Sequence, residues 1–204
     1  MGEPLKRLYC YRLVATFLFI FGMAVPSLAG APTEQLRETT DKILSILNSP
    51  DFKNPAKYPE KRQLIRNIGY DRFDWAEMSR RVLGRYWAQR TDQEKKAFVD
   101  LFGQFLEQIY IDRIKEYSGE TIQYKGESVE DQYGKVSAVV VTPKEQEISV
   151  EYKVIKHGND WLIYDVVLEG VSLVNNYRTQ FDSILLKSSF QDLIKRLQAK
   201  IASK

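Results

Sequence analysis

The chain has 204 residues, with 30 Lys and Arg set against 27 Asp and Glu. That near-balance gives no basic excess for a nucleic-acid partner, and no nucleic-acid-binding motif is present. One histidine and one cysteine are too few for the several-ligand sites that hold zinc or haem, and they leave no pair for a disulfide.

The first segment reads as a secretory signal. Lys6, Arg7 and Arg12 make a basic region, and Leu13–Val25 is an apolar run too short for a comfortable membrane span. Ser27 and Ala29 then supply small residues at the −3 and −1 positions of a cleavage site before Gly30. The competing reading is an uncleaved N-terminal anchor. Cys10 precedes the apolar run, so it does not read as a lipidation cysteine. Removing residues 1–29 leaves a nearly neutral chain, 30–204, of a size that suits one domain held by packing alone.

Thr33–Asn48 repeats Leu36, Thr40, Ile43, Leu44 and Leu47 at helical spacing. The proline-rich stretch 48–59 is a loop, and a second helix starts near Pro59, which suits a first helical position, and ends near Gly69. Asp74 with Glu77 forms a capping-box-like pair before a helix bearing Trp75, Met78, Val82, Leu83 and Tyr86. Thr91 with Glu94 opens a longer helix whose wide apolar stripe runs from Phe98 through Phe102, Phe105 and Ile109 to Ile114.

After Gly119 the period changes to two. Four strands are expected at 120–130, 134–143, 146–156 and 160–171, joined by the polar turns DQYG, PKEQ and HGND. Such short connections imply an antiparallel meander. In the third strand Ile148, Val150, Tyr152 and Val154 share one face, with Glu151 and Lys153 on the other. Helical spacing returns with Tyr177, Phe181, Ile184 and Leu185, and a final helix carries Phe190, Leu193, Leu197 and Ile201. The charged face of that helix (Asp192, Lys195, Arg196, Lys200) reads as solvated, with a docking surface as the alternative. The expected class is α+β: N-terminal helices, a curved four-stranded antiparallel sheet, and C-terminal helices packed back around an apolar pocket.

Little chemistry accompanies these apolar stripes. His157 falls in the turn KHGND and reads as a surface turn residue, so no Ser-His-Asp triad is available. Asp165 is the one carboxylate on its strand. In an apolar pocket it would be a base with a raised pKa, as in a small isomerase; otherwise it points outward or pairs with an arginine. Phe102, Phe105, Tyr110, Tyr152, Tyr164, Tyr177 and Phe181 either fill a core or line a cavity between helices and sheet. A filled core would leave an envelope adaptor without a ligand.

Three stretches narrow this choice. WLIYDVVLEGVSLVNNYRTQF (161–181) closely resembles a signature of the MlaC/toluene-tolerance family of periplasmic phospholipid-binding proteins. MSRRVLGRYW (78–87) and FVDLFGQFLEQIYIDRIKEYSG (98–119) look like the helical half of the same family. The resemblance spans essentially the whole chain after the signal segment, and a hopanoid-associated relative shares it. It implies a monomeric periplasmic carrier, not an enzyme and without cofactor or metal. Such a carrier moves phospholipid between an inner-membrane ABC transporter complex and an outer-membrane lipoprotein complex, maintaining outer membrane lipid asymmetry. Carried over residue by residue, it makes Val150, Tyr152, Val154, Val166, Leu168, Val171, Tyr177 and Phe181 pocket-wall positions. Met78, Val82, Tyr86, Leu106, Ile109 and Val140 complete the lipid-binding candidates with the large residues named above.

Overall fold

A computed structural model describes residues 32–111 and 116–202. Residues 1–29, expected to form a secretory signal, and the expected helical residue Ile114 lie outside the described residues. Helix α1 (Pro32–Asn48) buries Leu36 and Thr39 against the sheet. Two short 3-10 turns lead into α2 (Tyr58–Tyr70), with Pro59 in its first turn. Helix α3 (Trp75–Leu83) starts where Asp74 accepts from the Glu77 amide at 2.8 Å. A 3-10 segment, Gly84–Gln89, connects it to α4 (Asp92–Tyr110), which opens on the complete Thr91–Glu94 capping box.

The sheet is an antiparallel meander in chain order: β1 (Thr121–Glu130), β2 (Tyr133–Val141), β3 (Glu147–His157), β4 (Asp160–Leu168) and β5 (Val171–Ser172). Five strands replace the expected four because the last one folds back on itself. Glu169 and Gly170 both have left-handed backbone, φ 47° and 78°. That pair makes a two-residue hairpin turn and sets Val171 opposite Leu168. Helices α5 (Leu173–Leu185) and α6 (Phe190–Ala202) follow, and α5 is capped by Ser172, whose Oγ accepts from the Asn175 amide at 3.0 Å.

Strand β4 is covered on its outer edge. Beyond the short β5, the α2–α3 link runs beside it as a single bridge, with Asp74 N donating to Ile163 O and Ile163 N to Arg72 O, both at 2.9 Å. The Arg72 guanidinium fastens this link to α1 and the sheet through Thr39 Oγ1, Gln35 Oε1 and Trp161 O. An unpaired edge would otherwise invite another chain.

Two apolar regions result. Helices α3 to α6 enclose one, centred on Met78, Phe98, Phe102, Phe181 and Leu193. The other lies under α1 and comprises Leu36, Val136, Val154, Trp161 and Ile163. A bulge in β4 divides them. Lys153 faces Asp165 and Val154 faces Ile163, so Tyr164 is the extra residue and joins the helical core. Although KVSAVVVT is apolar on both faces, β2 buries Val136 and Ala138 and exposes Tyr133, Lys135 and Ser137.

Candidate functional site

Between the two regions a cavity of about 390 Å³ remains open. One wall is α2, which presents Ile65, Gly69 and Tyr70. Phe73, Trp75 and Met78 close the end where α2 passes into α3. Opposite them stand Leu106, Tyr110 and Ile111 at the C-terminal end of α4. Tyr152, Val166 and Leu168 form the sheet floor, and Leu173 from the start of α5 completes the ring. The volume falls within the roughly 300–1,000 Å³ usual for small-molecule sites, which are likewise mostly apolar.

Local sequence explains how the space stays open. Gly69, expected to end α2, lies within the helix, and a Cβ built on it would meet no atom within 4 Å. The aromatic stack Tyr70–Trp75–Phe73, with ring centroids 4.8 and 5.0 Å apart, props the turn after α2. Trp75 Nε1 donates to Tyr70 O at 3.0 Å, so the indole's one donor is satisfied. Leu168 at the edge of the cavity is 42% exposed and Tyr110 is equally so, marking the mouth.

Charge in the lining is confined to one ion pair, Arg66 Nε at 2.7 Å from Glu107 Oε2, linking α2 to α4. Burial pushes the phenols of Tyr152 and Tyr70 up, so both stay neutral. Burial also pushes the Tyr177 phenol up, with Tyr110 as its hydrogen-bonding partner. The lining therefore favours neutral, apolar contents.

The structure brings Met78, Leu106, Tyr110, Tyr152, Val166 and Leu168 together at the cavity. Val82, Phe102, Phe105, Tyr177 and Phe181 instead fill the helical core, with Ile109 packed against them. There Phe102 meets Tyr177 and Phe181 edge-on at 5.7 and 5.9 Å. Tyr164 also belongs to that core, under the Arg81 guanidinium at 4.1 Å. Val154 is sealed beneath α1, Val150 is buried on the same sheet face, and Val140 is half-buried in β2. Val171 is 60% exposed on β5, and Tyr86 sits under Arg85 outside the cavity. The α2 wall was missed by sequence reasoning, although the aromatic density of GYDRFDW (69–75) marks its end.

Asp165 faces away from the cavity, on the side of the sheet opposite its neighbours Tyr152 and Val166. It is 3% exposed, and it neither points outward nor pairs with an arginine. Its carboxylate accepts from Ser172 Oγ at 2.7 Å, the Val174 amide at 3.0 Å and Lys153 Nζ at 3.2 Å. Those bonds fix the β5–α5 corner and leave no base aimed at a ligand. His157 ends β3 at the surface, with Nε2 2.8 Å from Asp74 Oδ2. Among the described residues no cluster of three or more His, Cys, Asp or Glu is placed to hold a metal.

Comparison with known proteins gives a consistent result. A family model described as "MlaC protein" matches residues 37–199. The "Intermembrane phospholipid transport system binding protein MlaC" of Haemophilus influenzae is 23% identical over 175 residues, covering 82% of this chain and 81% of that relative. Among solved structures, a phospholipid-binding protein from Ralstonia solanacearum, determined in complex with a phospholipid, superposes with a TM-score of 0.75 at 23% identity. It covers 85% of this chain and 98% of its own.

Proposed function

This chain belongs to the MlaC protein family, and on that premise we propose that it is a periplasmic carrier whose cavity takes the acyl tails of phospholipid. The observation that carries the reading is the open apolar cavity of about 390 Å³ between α2, the end of α4 and the sheet. The relative from Haemophilus influenzae is named for intermembrane phospholipid transport, and the Ralstonia solanacearum structure holds a phospholipid. Both support the same ligand class here.

The energetics make a carrier sufficient without catalysis. Each methylene kept from water is worth about 0.8 kcal/mol, so two tails of about fifteen carbons amount to roughly 24 kcal/mol. Free lipid crosses an aqueous gap slowly against that cost. A cavity that replaces the bilayer makes exchange nearly neutral and leaves partner docking to set direction. In this reading residues 1–29 direct export and are removed before Gly30, and 30–204 act as one monomeric lipid-binding domain. An inner-membrane ABC transporter complex and an outer-membrane lipoprotein complex are the docking partners.

Native mass spectrometry of the purified protein, followed by lipid extraction, tests this. A mass increment that matches phospholipid and survives gentle purification is the expected result. A hopanoid increment would reassign the cargo. An apo mass that persists after incubation with liposomes would leave the cavity without its proposed contents.

A further inference from the structure

Tyr152 stands apart from the other polar side chains of the lining. Arg66 is paired with Glu107, Trp75 donates to Tyr70 O, and Tyr110 bonds Tyr177. The Tyr70 hydroxyl lies against α4, 3.1 Å from the position a Gly103 Cβ would occupy. The Tyr152 side chain lines the cavity, and its hydroxyl takes part in none of the side-chain hydrogen bonds among the described residues. Its neighbours directly across the sheet, Val136 and Val166, have apolar side chains, and the nearby Tyr124 phenol is already engaged with Thr40 Oγ1 at 2.9 Å. A phenol so placed holds a donor that no side chain takes, free to meet an acceptor on whatever enters the cavity.

Its depth identifies what it meets. Val166, directly opposite Tyr152, is two residues inward from Leu168 at the mouth. At about 3.4 Å per residue, that is roughly 7 Å along the strand. A side chain rooted at this level stands near the mouth, close to the region just beneath a headgroup held there. In a glycerophospholipid that level is occupied by the ester linkages, whose carbonyl oxygens accept one hydrogen bond each.

We propose that Tyr152 donates its hydroxyl proton in a hydrogen bond to an acyl-ester carbonyl of the bound lipid, and so sets tail depth and favours ester-linked over ether-linked lipids. This rests on the carrier reading above and adds to it a specificity-determining residue. The bond replaces one to water, and nothing covalent changes.

The test is competition. The protein, purified after expression of the full sequence, is incubated with vesicles containing equal diester and diether phosphatidylethanolamine of matched chain length. Retained lipid is then counted by native mass spectrometry. The wild type is expected to favour the diester about three- to tenfold, the usual worth of one neutral hydrogen bond. Tyr152→Phe is expected to retain both lipids equally while its lipid-free unfolding midpoint stays unchanged. No preference in the wild type, or a preference that survives in Tyr152→Phe, would overturn the assignment while leaving the carrier reading intact. Equal weakening of both lipids by the substitution would also overturn it, placing the bond on the phosphate that the two share. Retention of neither lipid by the wild type would instead overturn the carrier reading, and this inference with it.

Discussion

The helical core around Phe102 and the space between α2 and the sheet are built from the same kinds of side chain, but only the first is filled. In the core, four helices converge and aromatic rings interlock, Phe98 against Phe181 at 6.1 Å and Phe105 against Tyr177 at 5.5 Å. At the cavity, α2 presents a glycine where a side chain would reach inward, and a stacked aromatic turn holds the helix off the sheet. Apolar character therefore predicts burial here but does not predict what does the burying. Backbone spacing decides whether side chains or a ligand complete the packing.

The comparison can be broken from the filled side first. Phe102→Ala should cost about 3–5 kcal/mol of stability, measured by urea unfolding, because a fully buried ring leaves a void that its neighbours only partly close. Lipid carried per folded molecule should not change. A mild stability loss with lost lipid would mean that Phe102 lines the binding space after all.

Asp165→Ala comes next, at about 2–3 kcal/mol. It strips the acceptor from Ser172 Oγ and the Val174 amide, and it leaves Lys153 without its carboxylate. Because that corner also positions Leu173 on the cavity wall, lipid retention should fall along with stability. An unchanged unfolding midpoint would refute the scaffold role given to Asp165.

Gly69→Leu sharpens the contrast by separating the two quantities. A helix-favouring residue replaces glycine in the last turn of α2, so thermal unfolding should rise by the equivalent of at most about 0.5–1 kcal/mol. The new side chain enters open space at the cavity wall, so retained lipid should fall several-fold. A gain in stability with full lipid retention would show that α2 is not the binding wall.

The smallest effect lies outside both regions. Hydrogen bonds from Arg80 foremost, and then from Arg81, hold the Glu77 carboxyl below its ordinary range. A carboxyl lowered in the folded state stabilises above its unfolded value of about 4.3, and that contribution fades as pH falls through the folded value. Glu77→Gln should therefore cost about 0.5 kcal/mol at neutral pH, with the difference from wild type shrinking steadily below about pH 4. Urea midpoints across that range would show it, and a difference that grows on acidification would contradict the sign.

Much of the fold is legible in the chain because its signals are local. Capping pairs at Asp74 and Thr91 place α3 and α4, and polar turns at 131–132 and 158–159 place the hairpins. The split of the last strand was less legible, since glutamate rarely occupies the left-handed position that Glu169 takes. Among the site residues, Tyr152 and Val166 came from the family resemblance, while strand alternation placed Tyr152 on one face with Val150 and Val154, which do not line the cavity. Phe105 and Tyr177 sit on equally apolar stripes, yet they turn to other helices.

The sequence by itself determined the helices, the first four strands and their antiparallel order, because caps, turns and periodicity act over a few residues and persist in any context. Only the tertiary structure decided which apolar residues stay unsatisfied by one another. Gly69, Tyr70 and the α4 end meet Tyr152 and Val166 across a gap, although the helical and sheet walls stand dozens of residues apart in the chain. No local pattern encodes the distance at which a helix is held from a sheet.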